Sequence, residues 1–296
     1  NAVVDRSRNI AGGMSKGVTF LMKKNKIDVI KGYGKLKAGK IVDVDGVDYS
    51  ANHIIISTGA RSRELPSIPQ DGKKIIGYRQ AMTLKKQPKS MVIVGSGAIG
   101  VEFAYFYNSM GTNVTIVEYL PSIVPIEDKD ISKELEKSFK KSGIKVMTSS
   151  EVLSVDTSGK GVTAKVKTSK GEETLSADII LSAVGIKTNI ENIGLEEVGI
   201  AVDRDKILVD KYYGTNIPGY YAIGDVTPGP ALAHVASAEG ILCVEKISGH
   251  DVAPIDYGNI PGCTYCSPEI SSVGLTEQQA IDKGYEIKVG KFPFSA

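Results

Sequence analysis

Tryptophan is absent from this chain, and cysteine and histidine are scarce, at three residues each among 296. So few cysteines cannot build a disulfide framework, which argues against a disulfide-stapled secreted domain and for a reducing compartment. Only one close cysteine pair exists, without a second paired motif to complete a zinc site, so no metal is expected. No run of about 18 apolar residues occurs, and a membrane-spanning helix is not expected. An excess of either charge is missing as well. The 36 Lys and Arg nearly balance 34 Asp and Glu, and a net charge of +2 points to neither nucleic acid nor an anionic membrane surface as partner. The basic cluster Lys23-Lys24-Asn25-Lys26 reads as a solvated helix end. The chain opens on Asn1 rather than Met, in what reads as mid-helix, so no targeting segment can be judged from it.

What is present is ordinary globular material, 42% hydrophobic and 24% charged. The length suits roughly two domains of about 100–200 residues. The most informative stretch is Gly95-Ser96-Gly97-Ala98-Ile99-Gly100. It follows an apolar run, Met91-Val92-Ile93-Val94, and opens a helical pattern over 101–110. A second apolar run at 113–117 ends on Glu118, 23 residues after Gly95. That is the strand–turn–helix–strand context of a dinucleotide-binding unit. Gly95 permits the tight turn, Gly97 lets the backbone approach a pyrophosphate, and Gly100 lets helix and strand pack closely. The helix start, Ala98 and Ile99 included, offers N–H groups and a positive dipole end to phosphates. Glu118 stands where a carboxylate can accept hydrogen bonds from the ribose hydroxyls.

The chain also contains an internal echo. Residues 50–59 read SANHIIISTG and residues 176–185 read SADIILSAVG. Short β-branched runs separated by turn signals precede each. Residues 27–33, 41–45 and 47–49 come before the first, and 144–149, 152–156, 161–168 and 172–175 before the second. Each copy reads as an antiparallel meander feeding a buried strand that ends at a glycine. The second copy has the 91–118 unit upstream, whereas only a helix at 7–24 precedes the first. The expectation is that a corresponding glycine fingerprint lies before residue 1.

Residues 81–88 read as a linker. A helix is expected over 129–142, with Ile131, Leu135 and Phe139 on its apolar face. Strands are expected at 206–210, 220–223 and 270–273, and helices at 233–248 and 277–283. The chain ends at 292–296 on what reads as another strand. Gly224-Asp225 at the end of the 220–223 run places a carboxylate where α/β sheets bind ligands, although Gly-Asp taken alone is as readily an ordinary turn. Glu102, similarly, is on its own merits a solvated first-turn helix acid.

The strings STGA (57–60), GSGAIGVE (95–102), TNIPGYYAIGDV (215–226) and ALAHVASAEG (231–240), together with IPGCTYCSPEISSVGLTEQQA (260–280), resemble the pyridine nucleotide–disulfide oxidoreductases. The resemblance covers the whole chain. It implies an α/β, two-dinucleotide-binding flavoprotein fold, with a Rossmann-like NAD domain carrying an antiparallel meander, part of an FAD domain, and the start of an α+β interface domain. The boundaries it implies are FAD domain at 1–80 and 206–260, NAD domain at 81–205 and dimerisation domain at 261–296. By the same resemblance NAD is held by Gly95, Gly97, Ala98, Ile99, Gly100, Glu118 and Gly185, with Glu102 near the nicotinamide. FAD is held by Thr58, Gly59 and Asp225, with Leu232, Ala233 and His234 along the flavin edge. One departure is clear. Many relatives have Gly-Arg-x-Pro-Asn where this chain has Gly185-Ile186-Lys187-Thr188-Asn189, and a lysine lacks the bidentate fork of arginine.

The Cys263-Thr264-Tyr265-Cys266 pair invites a redox reading, but it lies at a strand entry rather than at a helix N-terminus that would lower a thiol pKa. It is expected to be structural. Cys243 is expected to be a small buried residue, and His53 and His250 structural. The resemblance places the redox Cys-x4-Cys pair before residue 1 and the catalytic histidine after residue 296, so no catalytic residue is expected within the chain. The activity it implies is oxidation of dihydrolipoamide, carried on a 2-oxo acid dehydrogenase complex or a glycine cleavage protein, with electrons passing through FAD to NAD in a homodimer. These 296 residues by themselves are expected to be inactive. The alternatives are a glutathione- or mercuric-reductase type of enzyme, or an NAD-binding core without turnover. The stretch after Glu118, residues 119–125, offers no cation for the 2′-phosphate of NADP. The expected compartment is the cytoplasm, with the mitochondrial matrix as the alternative.

Overall fold

The computed structural model describes residues 2–294. The chain forms two compact units, each made of two stretches: Asn1–Arg61 with Ile186–Tyr257, and Ser62–Gly185 with Gly258–Ala296. The breaks between the stretches fall at 61/62, 185/186 and 257/258. Among the described residues no helix is long and apolar enough to cross a membrane.

The second unit is built on a parallel five-stranded sheet. In spatial order its strands are Ile75–Ile76, Ile179–Ser182, Ser90–Val94, Asn113–Val117 and Lys145–Met147. Met91 to Val94 is apolar without alternation because both faces of this central strand are covered. Met91 and Ile93 point into a core with Val101, Ala104 and Tyr107 of the helix Ala98–Ser109 and Leu135 and Phe139 of the helix Lys129–Lys141. Val92 and Val94 point the other way, onto Val162, Ala164 and Val166. Those three lie on the middle strand of an antiparallel sheet formed by Glu151–Asp156, Val162–Thr168 and Gly171–Ala177. The run at 144–149 therefore belongs to the parallel sheet, not to the meander. On the helix Lys129–Lys141, Ile131 is 43% exposed and Ser132 takes its place on the buried face. The stripe runs 132, 135, 139, one residue away from the spacing read through Ile131.

The remainder of this unit forms a hairpin, Gly262–Thr264 with Ile270–Ser272, and a helix, Glu277–Asp282, capped reciprocally by Thr276 and Gln279. Residues 292–294 are exposed and form no strand, and Ser295 and Ala296 of the strand expected there lie outside the described residues.

In the first unit the helix Ala2–Lys24 starts earlier than residue 7 and buries none of its residues. Gly34–Lys37, Ile41–Val44 and Val47–Ser50 form an antiparallel meander. The strand expected at 27–33 is absent, and Ile27, Val29 and Ile30 are exposed. The turn at Ala38-Gly39-Lys40 explains the shift. Gly39 and Lys40 both take positive φ, which pairs Lys37 with Ile41 and makes the first strand the four residues next to the turn. Asp45-Gly46, both at positive φ, closes the second hairpin. Ile54–Ile56 runs parallel to Tyr220–Ala222. Ile54, Ile56, Tyr220 and Ala222 pack in one core with Leu36, Leu195 and Ile207. The strand expected at 206–210 is only Lys206–Ile207, paired with Val202–Asp203.

Candidate functional site

In the second unit the glycine fingerprint leaves the C-terminal end of the central strand, the position at which α/β sheets bind ligands. Its three glycines have three different reasons. Gly95 has φ +97°, and a Cβ there would lie 2.4 Å from the Ala183 carbonyl oxygen. A Cβ on Gly100 would lie 2.1 Å from the Gly95 carbonyl oxygen, so the helix can reach the strand only without one. Gly97 has an ordinary φ of −65°, and a Cβ there would meet nothing within 4 Å. Its missing side chain leaves open space over the helix start. Gly97 is also the N-cap, and no side chain caps the helix. Backbone N–H groups of the first turn, including those of Ala98 and Ile99, face the N-terminal side with a positive dipole end. A cradle of this kind fits a pyrophosphate. Gly185, with φ +101° and nothing within 4 Å of a built Cβ, follows the neighbouring strand Ile179–Ser182.

Glu118 is only 7% exposed. Its Oε2 accepts hydrogen bonds from the Ser96 N–H (2.8 Å) and the Ser96 hydroxyl (2.6 Å), and its Oε1 accepts one from the Leu120 N–H (2.8 Å). The carboxylate is thus anchored to the fingerprint turn itself. Glu102, half-buried on the helix, accepts a 2.9 Å bond from the Tyr265 N–H. That bond is a structural use of the residue. Cys266 packs in the core beside the same helix, and burial pushes its thiol up to about 11. Cys263 is exposed, and both are free thiols.

In the first unit the parallel pair Ile54–Ile56 and Tyr220–Ala222 sends two loops off the same sheet edge. One carries Thr58 and Gly59, the other Gly224 and Asp225. Asn189 clamps the first loop. The Thr58 hydroxyl donates to the Asn189 carbonyl (2.7 Å), the Asn189 amide donates to the Thr58 carbonyl (3.0 Å), and the Asn189 N–H donates to the Gly59 carbonyl (2.9 Å). The second loop is held from the helix Ala233–Ile247. Glu239, buried on that helix, accepts from the Gly224 N–H (2.6 Å) and from the Tyr257 hydroxyl (2.6 Å), which also contacts the Tyr213 hydroxyl (3.0 Å). Burial and the Glu239 carboxylate together push the Tyr257 phenol far above its usual range. Lys206 donates to the Asp225 carbonyl (2.6 Å). Asp225 is half-buried, Leu232 is half-buried at the uncapped helix start, and Ala233 and His234 are exposed on its first turn.

Lys187 has a partner, Glu191 (2.7 Å), which it shares with Arg61. The Arg61 guanidinium takes both Glu191 oxygens, at 2.7 and 3.0 Å, and also reaches Asn189 Oδ1 (2.8 Å). Arg61, and after it Lys187, holds the Glu191 carboxyl well below the usual range. Ser96, Asn189 and Glu239 were not singled out in the sequence. Glu239 stands inside the ALAHVASAEG string, and as the one charged residue in the stretch 235–244 it carries a signal that could have found it.

A parallel sheet with a glycine turn, an open helix start and an anchored acid at the end of the next strand defines a dinucleotide-binding protein. The chain belongs to the pyridine nucleotide–disulphide oxidoreductases: the model of that family matches residues 2–240, and the model of its dimerisation domain matches residues 260–296. It is similar to the dihydrolipoyl dehydrogenases of Rhizobium etli, at 48% identity over 100% of this chain and 66% of that protein, and of Zymomonas mobilis, at 43% over 99% and 65%. Among solved structures it is similar to LpdA from Mycobacterium tuberculosis, with a TM-score of 0.87 and 30% identity over 95% of this chain and 63% of that one. The chain therefore spans just under two thirds of the length of these relatives.

Proposed function

We propose that the 90–118 segment binds NAD and that the two first-unit loops line one side of an FAD site, in a protein that oxidises dihydrolipoamide. The open space at Gly97 carries the reading: of the three fingerprint glycines, it alone has an unstrained φ and room for a side chain. In this reading Gly97 admits the pyrophosphate, the first-turn N–H groups, Ala98 and Ile99 among them, bind it, and Glu118 orients the adenosine ribose. Glu102 lies one turn along the same helix, toward the nicotinamide. Thr58, Gly59 and Asp225 hold FAD from the far side, with Leu232, Ala233 and His234 along the flavin edge. When bound, the two nucleotides supply the hydride and electron chemistry that side chains lack. The residues of this chain bind and orient.

The proposed substrate is dihydrolipoamide on a 2-oxo acid dehydrogenase complex or glycine cleavage protein, and residues 260–296 contribute to a homodimer interface. Thiol exchange needs an accessible, low-pKa cysteine. Cys243 and Cys266 are buried with thiols raised to about 11, which leaves exposed Cys263 with no accessible second thiol among the described residues; in this reading a chain of these 296 residues binds NAD without oxidising dihydrolipoamide. Calorimetric titration with NAD and NADP tests the reading. It predicts saturable binding with NAD preferred. No binding, or equal affinity for the two, overturns it.

A further inference from the structure

Resting on the NAD reading, we infer that Ser96 is a specificity-determining residue, because it holds the Glu118 carboxylate in place. Ser96 is fully buried, and two of the three hydrogen bonds to the carboxylate come from it, one from its N–H and one from its hydroxyl. The main chain around Glu118 is equally fixed. Its N–H donates to the Met147 carbonyl (2.8 Å), its carbonyl accepts from Ser150 (2.9 Å), and the Gly95 N–H donates to Val117 (2.9 Å).

Two consequences follow. An ionised carboxylate offers about four lone-pair positions. Three are taken, so the remaining one, on Oε1, meets the ribose in a set direction. The group also cannot rotate out of the way of a 2′-phosphate. A free carboxylate could relieve that like-charge clash by swinging into solvent, whereas this one would first have to break charge-assisted bonds within the protein. Discrimination against NADP therefore comes from the charge of Glu118 and from the Ser96 hydroxyl that denies it an escape. Neither the G-x-G-x-x-G pattern nor the acid at its usual distance reveals this, since the second position of the pattern is unspecified.

The test is a set of NAD and NADP dissociation constants for the wild-type chain, Ser96→Ala, Ser96→Gly and Glu118→Gln, with melting temperatures alongside. A hydrogen bond to a charged group is typically worth about a factor of ten or more. Both Ser96 variants should bind NADP about tenfold better while NAD affinity holds or falls, and so narrow the NADP-to-NAD ratio about tenfold or more. Glu118→Gln should narrow it further. Using Gly as well as Ala means that a folding failure of one variant leaves the other to decide. If both nucleotides weaken in parallel, with an unchanged ratio and a lowered melting temperature, Ser96 is merely structural and the inference fails while the NAD reading stands. If the wild-type chain binds neither nucleotide, both fail.

Discussion

Substituting alanine separately at Gly95, Gly97 and Gly100 should give two different kinds of damage. Gly97→Ala adds a methyl where nothing lies within 4 Å, at an unstrained φ of −65°. Folding should change little, since alanine restricts the unfolded chain by about 0.4–1 kcal/mol relative to glycine but is the poorer N-cap. The same methyl occupies the approach of the pyrophosphate to the first-turn N–H groups. Losing about two charge-assisted hydrogen bonds, at about 1.5–3 kcal/mol each, weakens NAD binding by at least about 10²-fold. Gly95→Ala instead forces a side chain onto φ +97° and within 2.4 Å of a backbone carbonyl. Strain of about 1–3 kcal/mol adds to the clash. Gly100→Ala brings its Cβ to 2.1 Å from the Gly95 oxygen, and overpacking of that kind costs about 1–3 kcal/mol or more. At about 2–4 °C per kcal/mol for a domain of this size, both should melt several degrees lower. Differential scanning calorimetry with an NAD titration separates the cases. A Gly97→Ala chain that melts as wild type and binds NAD as wild type would refute the assignment of the open space to the pyrophosphate.

Three further outcomes are expected. Ser182 carries a buried hydroxyl with no hydrogen-bond partner among the described residues, so Ser182→Ala should raise stability by about 1 kcal/mol, and a lower melting temperature would show the hydroxyl to be satisfied. Glu239→Leu strands the Gly224 N–H and should cost about 1–3 kcal/mol by chemical denaturation, whereas Glu239→Gln, which keeps an acceptor oxygen, should cost less; equal losses would mean that the bond to Gly224 is not what matters. Iodoacetamide should label exposed Cys263 and spare Cys243 and Cys266 until the chain unfolds. Because burial raises the latter two thiols to about 11, the unfolded chain releases their protons first. Their contribution to stability is whole below about pH 8.5 and is lost as pH rises toward 11, and a stability that climbs over that range in the wild type relative to Cys243→Ala and Cys266→Ala variants would contradict it.

The parts of the fold legible in the sequence were those whose cause is local. An unbroken apolar run such as Met91 to Val94, closed by a glycine turn, reads as a strand covered on both faces, and the glycines after it mark that turn. Asp45-Gly46 likewise announces its own hairpin. Hydrophobicity misled where a neighbouring turn had the stronger vote: the apolar residues Ile27, Val29 and Ile30 are exposed, while Gly34–Lys37 takes the strand that the Gly39 turn dictates. The partners within the candidate site were invisible for a different reason. Ser96 meets Glu118, Thr58 meets Asn189, and Glu239 meets Gly224 only after the sheets have assembled. Nothing in a serine or an asparagine announces a contact that distant along the chain, and the charge of Glu239 marks the residue without naming its partner.

The most direct test of the account is a crystal structure of the chain soaked with NAD. It should show the pyrophosphate over Gly97, within hydrogen-bond distance of the first-turn N–H groups, and a ribose hydroxyl on Glu118 Oε1. Density for NAD elsewhere, or an open Gly97 cradle at saturating nucleotide, would contradict it.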